Sequence, residues 1–316
     1  MYKVLTNNIK PDYPDVKLQE KKVLNAITVD VEDWFNVSVF KDVFDYRDWD
    51  HKESRIIPNI CRIISLFNEY NIKGTFFVLG WIAERFPEIV LTIKKYGHEI
   101  GSHSYSHKLI YEMSKSSFID DLERSLSILE TITNEKVRFF RAPSYSITKE
   151  TLWALEILSE RGIEYDSSIF PIKHDTYGMK SMPRFPFRLN FTNGNKLVEF
   201  PLSTIRLYGK NIPIAGGGYL RLFPFWFIKG GIRKLNIEGK PAIIYFHPWE
   251  LDPDLPRIDV NLISRYRNYS NLDITEFRLR HLFSEFRFGT IGNVLESYNI
   301  QSWPSFEPKD QMAGWN

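Results

Sequence analysis

Ala26-Ile27-Thr28-Val29-Asp30-Val31-Glu32-Asp33-Trp34-Phe35 is the stretch that decides how this chain is read. Its first half is an apolar, β-branched run of the kind that forms a strand buried on both faces in a parallel sheet. Its second half sets three acids in four positions directly behind that strand. Buried together and charged, they would repel one another, so a metal, an arginine or water has to offset them. A solvated acidic turn capping the next helix would also fit the acids, but Trp34 and Phe35 beside them favour a dry cleft.

Outward from this strand, short apolar runs alternate with helix-period segments. Strand candidates cover residues 25–31, 72–79, 98–104, 138–143, 165–169, 197–202 and 241–247. Between them Ile60, Ile63, Ile64 and Phe67 fall on one helical face, as do Phe118, Leu122, Leu126 and Leu129, with a shorter stripe at Leu152, Leu155 and Leu158. The alternation predicts an α/β fold, a single-domain distorted (β/α) barrel of about seven parallel strands. Neither a repeat nor a linker interrupts it, so residues 23–316 are read as one domain behind a polar leader at 1–22. In a parallel barrel the strand C-terminal ends carry the chemistry. Here the polar residues gather at those ends: Asp30 to Asp33, then His103 and His107, Arg141, Asp166 and His247.

Composition bounds the partners. With 316 residues, 43% hydrophobic and 25% charged, the chain is an ordinary globular protein, and a net charge of +2 supports no nucleic-acid partner. The single cysteine, Cys61, excludes an intramolecular disulfide, and its place in Ile60-Cys61-Arg62-Ile63-Ile64 predicts a core thiol. Residues 1–8 lack the apolar region of a signal peptide, and no run approaches the ~18 apolar residues that span a membrane, so a cytoplasmic enzyme is expected. Leu222-Phe223-Pro224-Phe225-Trp226-Phe227-Ile228, followed by Lys229, Arg233 and Lys234, reads as a core helix starting near Pro224, or alternatively as a surface peripheral to the inner membrane.

Two histidines four apart in Gly101-Ser102-His103-Ser104-Tyr105-Ser106-His107 meet on one face if the segment is a helical turn, close enough to share a metal ion. Asp30, Glu32 and Asp33 supply the carboxylate of a His-His-carboxylate site. Taken singly, Arg141 reads as a surface arginine, Asp166 as a turn cap and His247 as a core histidine; their joint placement at strand ends is what sets them apart. His51, His98, His174 and His281 carry no assigned chemistry.

Thr28-Val29-Asp30-Val31-Glu32-Asp33, His103-Ser104-Tyr105-Ser106-His107, Arg141-Ala142-Pro143-Ser144 and Tyr245-Phe246-His247-Pro248-Trp249-Glu250 together resemble, in order, the motifs of the NodB-like polysaccharide deacetylases, carbohydrate esterase family four. Gly74-Thr75-Phe76-Phe77-Val78 and Gly97-His98-Glu99-Ile100-Gly101 are similar to the family's second and third strands, and the resemblance runs from about residue 24 to 253. Asp-Val-Glu-Asp-Trp-Phe at the first motif resembles a subgroup from exopolysaccharide and exosortase loci, whose extra C-terminal region would correspond to about 204–316 here.

The resemblance implies hydrolysis of the N-acetyl group of an amino sugar in a polysaccharide or its lipid-linked precursor. It makes Asp30 the general base, His103 and His107 ligands to a divalent metal, usually Zn2+, and Arg141 the partner of Asp30. It makes His247 the general acid, with Asp166 orienting its ring, and puts the oxyanion donor at or near the Ser144 N–H. Trp34, Pro143, Ser144, Tyr145 and Trp249 are the expected sugar-binding residues; aromatic faces suit a sugar ring. Two departures stand out. Val31 replaces the aspartate that commonly supplies the third ligand, which moves that role to Glu32 or Asp33, and Arg-Ala-Pro-Ser-Tyr replaces Arg-Pro-Pro-Tyr-Gly. A metal-dependent amidohydrolase acting on a small non-sugar amide and a non-catalytic carbohydrate-binding barrel are the competing readings.

Overall fold

The structure, a computed structural model, describes residues 23–41, 43–174, 176–298 and 302–307; the expected leader at 1–22 lies outside them. Seven strands correspond to the seven expected segments: β1 (Leu24–Val31), β2 (Thr75–Val78), β3 (Glu99–Ser102), β4 (Phe139–Phe140), β5 (Tyr165–Asp166), β7 (Lys196–Glu199) and β10 (Ile243–Phe246). They form one parallel path in the order β10-β1-β2-β3-β4-β5-β7. Five further strands were not anticipated: β6 (Phe187–Asn190), β8 (Thr204–Leu207), β9 (Lys210–Pro213), β11 (Arg287–Gly289) and β12 (Ser305–Phe306). β6 runs antiparallel to β7 and carries β12, β11 pairs with the start of β1, and β8 and β9 make a separate hairpin. Among the described residues the sheet path does not close, since β10 ends it on one side and β12 on the other. This is an α/β fold with a curled, mostly parallel sheet, the distorted barrel that the sequence predicts.

Register explains why polar residues from distant positions converge. Val31 lies beside Val78, Val78 beside Ser102, Ser102 beside Phe140, Phe140 beside Asp166 and Asp166 beside Glu199. On the other side of β1, Val29 lies beside Phe246. The residues that follow this layer, Glu32, His103, Arg141 and His247, therefore leave the sheet at one end. Gly101 in β3 makes the close packing possible: a Cβ there would stand 2.7 Å from the Phe77 ring.

Helices cover the outer face. Ile56–Glu69 buries Ile60, Ile63, Ile64 and Phe67, and Lys115–Thr133 buries Phe118, Leu122, Leu126 and Leu129, so both stripes face the core as their spacing requires. Cys61 departs from expectation: it is exposed, because it falls one step (~100°) round the helix from Ile60, off the Ile60–Ile64–Phe67 stripe. The helix Phe225–Ile237 starts after Pro224 and buries Ile228 and Ile232, yet Trp226 is 72% exposed, so the aromatic run is split between core and surface. Among the described residues no helix is long and apolar enough to cross a membrane.

Candidate functional site

The end of β1 sets the first contrast. In a strand, residues two apart share a face, so Asp30 and Glu32 both point into the cleft while Val31 packs into the core. Asp33 turns the other way. Its carboxylate accepts hydrogen bonds from Ser54 Oγ at 2.6 Å and from the backbone N–H groups of Arg55 at 2.9 Å and Trp34 at 2.9 Å. It thereby ties the strand end to the entry of the helix Ile56–Glu69, and burial raises its pKa to about 6. Of the two expected carboxylate ligands, the geometry selects Glu32 and gives Asp33 a structural task.

Glu32, His103 and His107 offer ligand atoms that all lie within 4.8 Å of one another, and all three residues are buried. The histidines do not meet on a helical turn as expected. They sit in an irregular loop in which Ser104 (φ 63°) and His107 (φ 54°) are left-handed. The buried Asp121 holds that loop by accepting from Tyr105 N at 2.7 Å, Ser106 N at 2.9 Å and Ser106 Oγ at 2.5 Å. His103 Nδ1 lies 2.7 Å from the Arg141 carbonyl oxygen, an acceptor only, so the proton resides on Nδ1 and Nε2 keeps its lone pair for a metal. Burial and the neighbouring His107 push the His103 pKa down to about 3, which keeps the ring neutral, as a ligand must be. Glu32 Oε2 is 2.5 Å from His107 Nε2 and has no hydrogen-bond partner. Burial opposes the Glu32 charge, but His107 and His247 outweigh it and hold its pKa below the usual value. A buried carboxylate oxygen without a donor, beside two imidazoles, fits a divalent metal such as Zn2+.

Beside this centre, Asp30 is clamped by Arg141. The guanidinium donates from Nη1 to Asp30 Oδ1 and to Thr28 Oγ1, both at 2.7 Å. Its remaining N–H groups reach the Ser167 carbonyl at 3.0 Å and Ser167 Oγ at 2.9 Å, so it has no freedom to swing away. Arg141 is entirely buried, 4.3 Å above the Phe77 ring. Tyr145 OH points at the other Asp30 oxygen from 3.4 Å. Ser144 (φ 49°) and Tyr145 (φ 55°) form a left-handed pair after Pro143 that turns both into the cleft, and Ser144 Oγ meets Ser38 Oγ at 2.8 Å.

His247 faces the metal set from β10: its Nε2 lies 3.5 Å from Glu32 Oε1 and 4.0 Å from Asp30 Oδ2. Burial works against a charged ring, but Glu32, Glu250 and Asp30 outweigh it and push the His247 pKa up to about 9. Asp166 is not its partner. Asp166 accepts from Ser168 Oγ at 2.6 Å and lies beside Glu199 across the β5–β7 ladder, where burial raises both carboxyls. The acid facing the imidazole is Glu250, whose Oε2 is 3.3 Å from Nδ1.

These groups line a cleft of about 510 Å³ with Lys41, Tyr111, His174, Tyr177, Tyr219 and Trp249 along its walls. Trp249 stacks on His247 with ring centroids 5.2 Å apart. Trp34 and Pro143 do not line it. Trp34 packs edge-on against Phe35, Phe40 and Phe44 and donates to the Glu53 carbonyl, and Pro143 is buried beneath the turn. His174, to which sequence reading assigns no chemistry, stacks on Tyr177 at 3.8 Å. Glu250, Arg221 and the wall tyrosines Tyr111, Tyr177 and Tyr219 went unrecognised. Only Glu250 left a signal, the His-x-x-Glu spacing of a capped turn.

Residues 50–164 match the polysaccharide deacetylase family, and residues 167–296 match a domain family of unknown function, DUF3473. Among curated proteins the chain is similar to a peptidoglycan-N-acetylglucosamine deacetylase of Bacillus cereus, 34% identical over 96 residues, which are 30% of this chain and 35% of that protein. It is also similar to a peptidoglycan deacetylase of Helicobacter pylori, 31% identical over 110 residues, which are 35% of this chain and 36% of that protein. The chain thus spans about a third of the length of these relatives. Among solved structures, a Mycobacterium smegmatis protein assigned to the polysaccharide deacetylases shares the fold, with a TM-score of 0.61 at 18% identity over 93% of this chain and 94% of that one.

Proposed function

We propose that this chain, whose residues 50–164 match the polysaccharide deacetylase family, hydrolyses the N-acetyl group of an amino sugar in a metal-dependent reaction that yields acetate and a free amine. The observation that carries this reading is the meeting, at one end of the sheet, of the Glu32–His103–His107 set with the clamped Asp30 and with His247 across from it. An amide hydrolase needs these three tasks close together: an electrophile, a base and an acid.

Glu32, His103 and His107 would hold a divalent metal, which would polarise the amide carbonyl and make an attacking water more acidic. Asp30 takes the proton from that water as its oxygen adds to the carbonyl carbon. Arg141, donating to Asp30 Oδ1 at 2.7 Å, fixes the orientation of that carboxylate before and after attack. His247, whose pKa is raised by the surrounding carboxylates, carries a proton and delivers it to the nitrogen as the C–N bond breaks. The turn at Ser144 and Tyr145 borders the cleft where charge develops on the former carbonyl oxygen. The aromatic walls support a sugar as the carrier of the amide, since tyrosine and tryptophan faces stack on pyranose rings. A cleft of about 510 Å³ suits a short stretch of glycan. That the glycan is an exopolysaccharide or its lipid-linked precursor, met at the inner face of the membrane, is the finer part of the proposal; it draws on the first-motif resemblance and on the exposed Trp226.

Acetate release from N-acetylglucosamine oligomers, measured with and without zinc, tests the reading. Zinc-dependent release that drops about 10²–10⁴-fold in Asp30→Asn is the expected result. Bound zinc without release would move the search to other amides, and neither zinc nor release would leave a carbohydrate-binding barrel.

A further inference from the structure

Resting on the deacetylase reading, we propose that Glu250, pinned by Arg221, is the positioning residue of His247: it receives the Nδ1–H of the imidazole and so aims Nε2 into the cleft, the role that family resemblance assigns to Asp166.

Local geometry comes first. Pro248–Leu251 is a single 3₁₀ turn that follows His247 directly. The i,i+3 spacing brings the Glu250 carboxylate back under its own histidine, where Oε2 accepts the His247 backbone N–H at 3.0 Å and stands 3.3 Å from Nδ1. Nδ1 is buried and has no hydrogen-bond partner that meets ordinary geometry, and Glu250 Oε2 is the acceptor that stands nearest to taking its proton. Trp249 lies nearly parallel to the imidazole, at 17°, and fixes the plane of the ring. Glu250 then fixes which edge of the ring faces the cleft.

Arg221 explains why Glu250 itself cannot turn. Its Nε donates to Glu250 Oε1 at 2.8 Å, while Nη1 and Nη2 donate to the carbonyls of Ser270 at 2.7 Å and Arg267 at 2.6 Å. These carbonyls close the helix Leu262–Tyr269, where a cation is favoured by the helix dipole. Arg221 and Glu250 are both buried, and a buried ion pair with its remaining N–H groups satisfied is rigid. Arg221 arrives on the short helix Gly218–Leu222, which Gly216 and Gly217 press against β10. Gly216 has φ 140°, and a Cβ there would lie 1.8 Å from the Tyr245 carbonyl oxygen. All of these residues belong to the 167–296 segment, outside the deacetylase match. On this account that segment supplies the acid half of the site, and Asp166 serves the β5–β7 edge instead.

A purely structural ion pair would stabilise the turn without directing the ring, and histidine NMR separates the two. In zinc-loaded protein labelled with ¹⁵N-histidine, His247 is assigned through His247→Asn and its Nδ1–H is followed. Glu250→Ala should remove the hydrogen-bonded Nδ1–H signal. It should also lower kcat for acetate release from N-acetylglucosamine oligomers about 10²-fold, with KM and zinc stoichiometry unchanged. Arg221→Lys, which keeps a cation on Glu250, should retain most of the signal, and Asp166→Asn should leave it as in the native protein. An unchanged signal in Glu250→Ala, or its loss in Asp166→Asn, overturns the proposal. If Glu250→Ala does not fold, the apolar double replacement Arg221→Met with Glu250→Leu removes both buried charges together and answers the same question. Absence of acetate release by the native protein would sink the deacetylase reading, while the ¹⁵N signal would still decide the role of Glu250.

Discussion

The two sides of the cleft use the same side chain in opposite states. His103 donates from Nδ1 to a backbone carbonyl and is kept neutral, with a pKa near 3, by burial and by His107. His247, with 18% of its side chain exposed, is ringed by Glu32, Glu250 and Asp30 and is pushed up to about 9. One imidazole is prepared to receive a cation and the other to carry a proton. The difference lies wholly in the neighbours, since burial alone would lower both. Glu32 belongs to both sides: Oε2 meets His107 and Oε1 faces His247.

That shared carboxylate is where the contrast breaks most severely. Glu32→Gln should weaken zinc binding by more than about 100-fold, because outer-shell partners alone are worth 10–100-fold, and acetate release should fall with it. The same substitution should lower the His247 pKa in metal-free protein towards 6.5, read from its imidazole NMR shifts against pH.

A gentler test leaves the sequence intact. Zinc titrated into the native protein offsets the Glu32 charge and should bring the His247 titration below the metal-free value of about 9. No change would mean that Glu250 and Asp30 set that value without Glu32.

Stability against pH follows with a definite sign. The His247 pKa is raised on folding, so the stability it contributes is fully present below about 6.5 and is lost as pH climbs through about 9. The denaturant midpoint of metal-free protein should therefore fall between pH 6.5 and 9.5, and His247→Asn should flatten that part of the curve.

The smallest effects sharpen the ligand assignment. Asp33→Asn keeps an acceptor for Ser54 and Arg55 and should leave zinc stoichiometry and affinity unchanged in calorimetry. Cys61→Ser, on the exposed side of its helix, should shift unfolding free energy by no more than about 0.5 kcal/mol.

What could be read from the sequence has local causes. Strand–helix alternation named the seven parallel strands, because a strand covered on both faces must be apolar at nearly every position. Strand ends then pointed to Asp30, His103, Arg141 and His247, because in such sheets chemistry collects where the strands stop. The β6, β8, β9, β11 and β12 strands were missed since they mix polar and apolar residues and lack the continuous apolar run of a strand buried on both faces. The helical turn proposed for His103 and His107 was wrong for a related reason. Asp121, on a separate helix, holds that loop in left-handed conformations that spacing cannot disclose.

Tertiary structure alone decided the rest. Glu32 over Asp33 was settled by which carboxylate the strand pleat turns inward and by the donors at Ser54 and Arg55 that claim the other. Trp34 went to the core by packing on Phe40 and Phe44, and His174 to the cleft wall by stacking on Tyr177, placements that depend on how each loop folds back. Glu250 displaced Asp166 beside His247 because the turn at Pro248 and the remote Arg221 hold it there, while register puts Asp166 next to Glu199. Sequence by itself determined residue type and periodicity, hence the sheet and the pool of candidates. Which candidates face one another, and in what charge state, depends on distances between chain-remote groups, which exist only once the chain has folded.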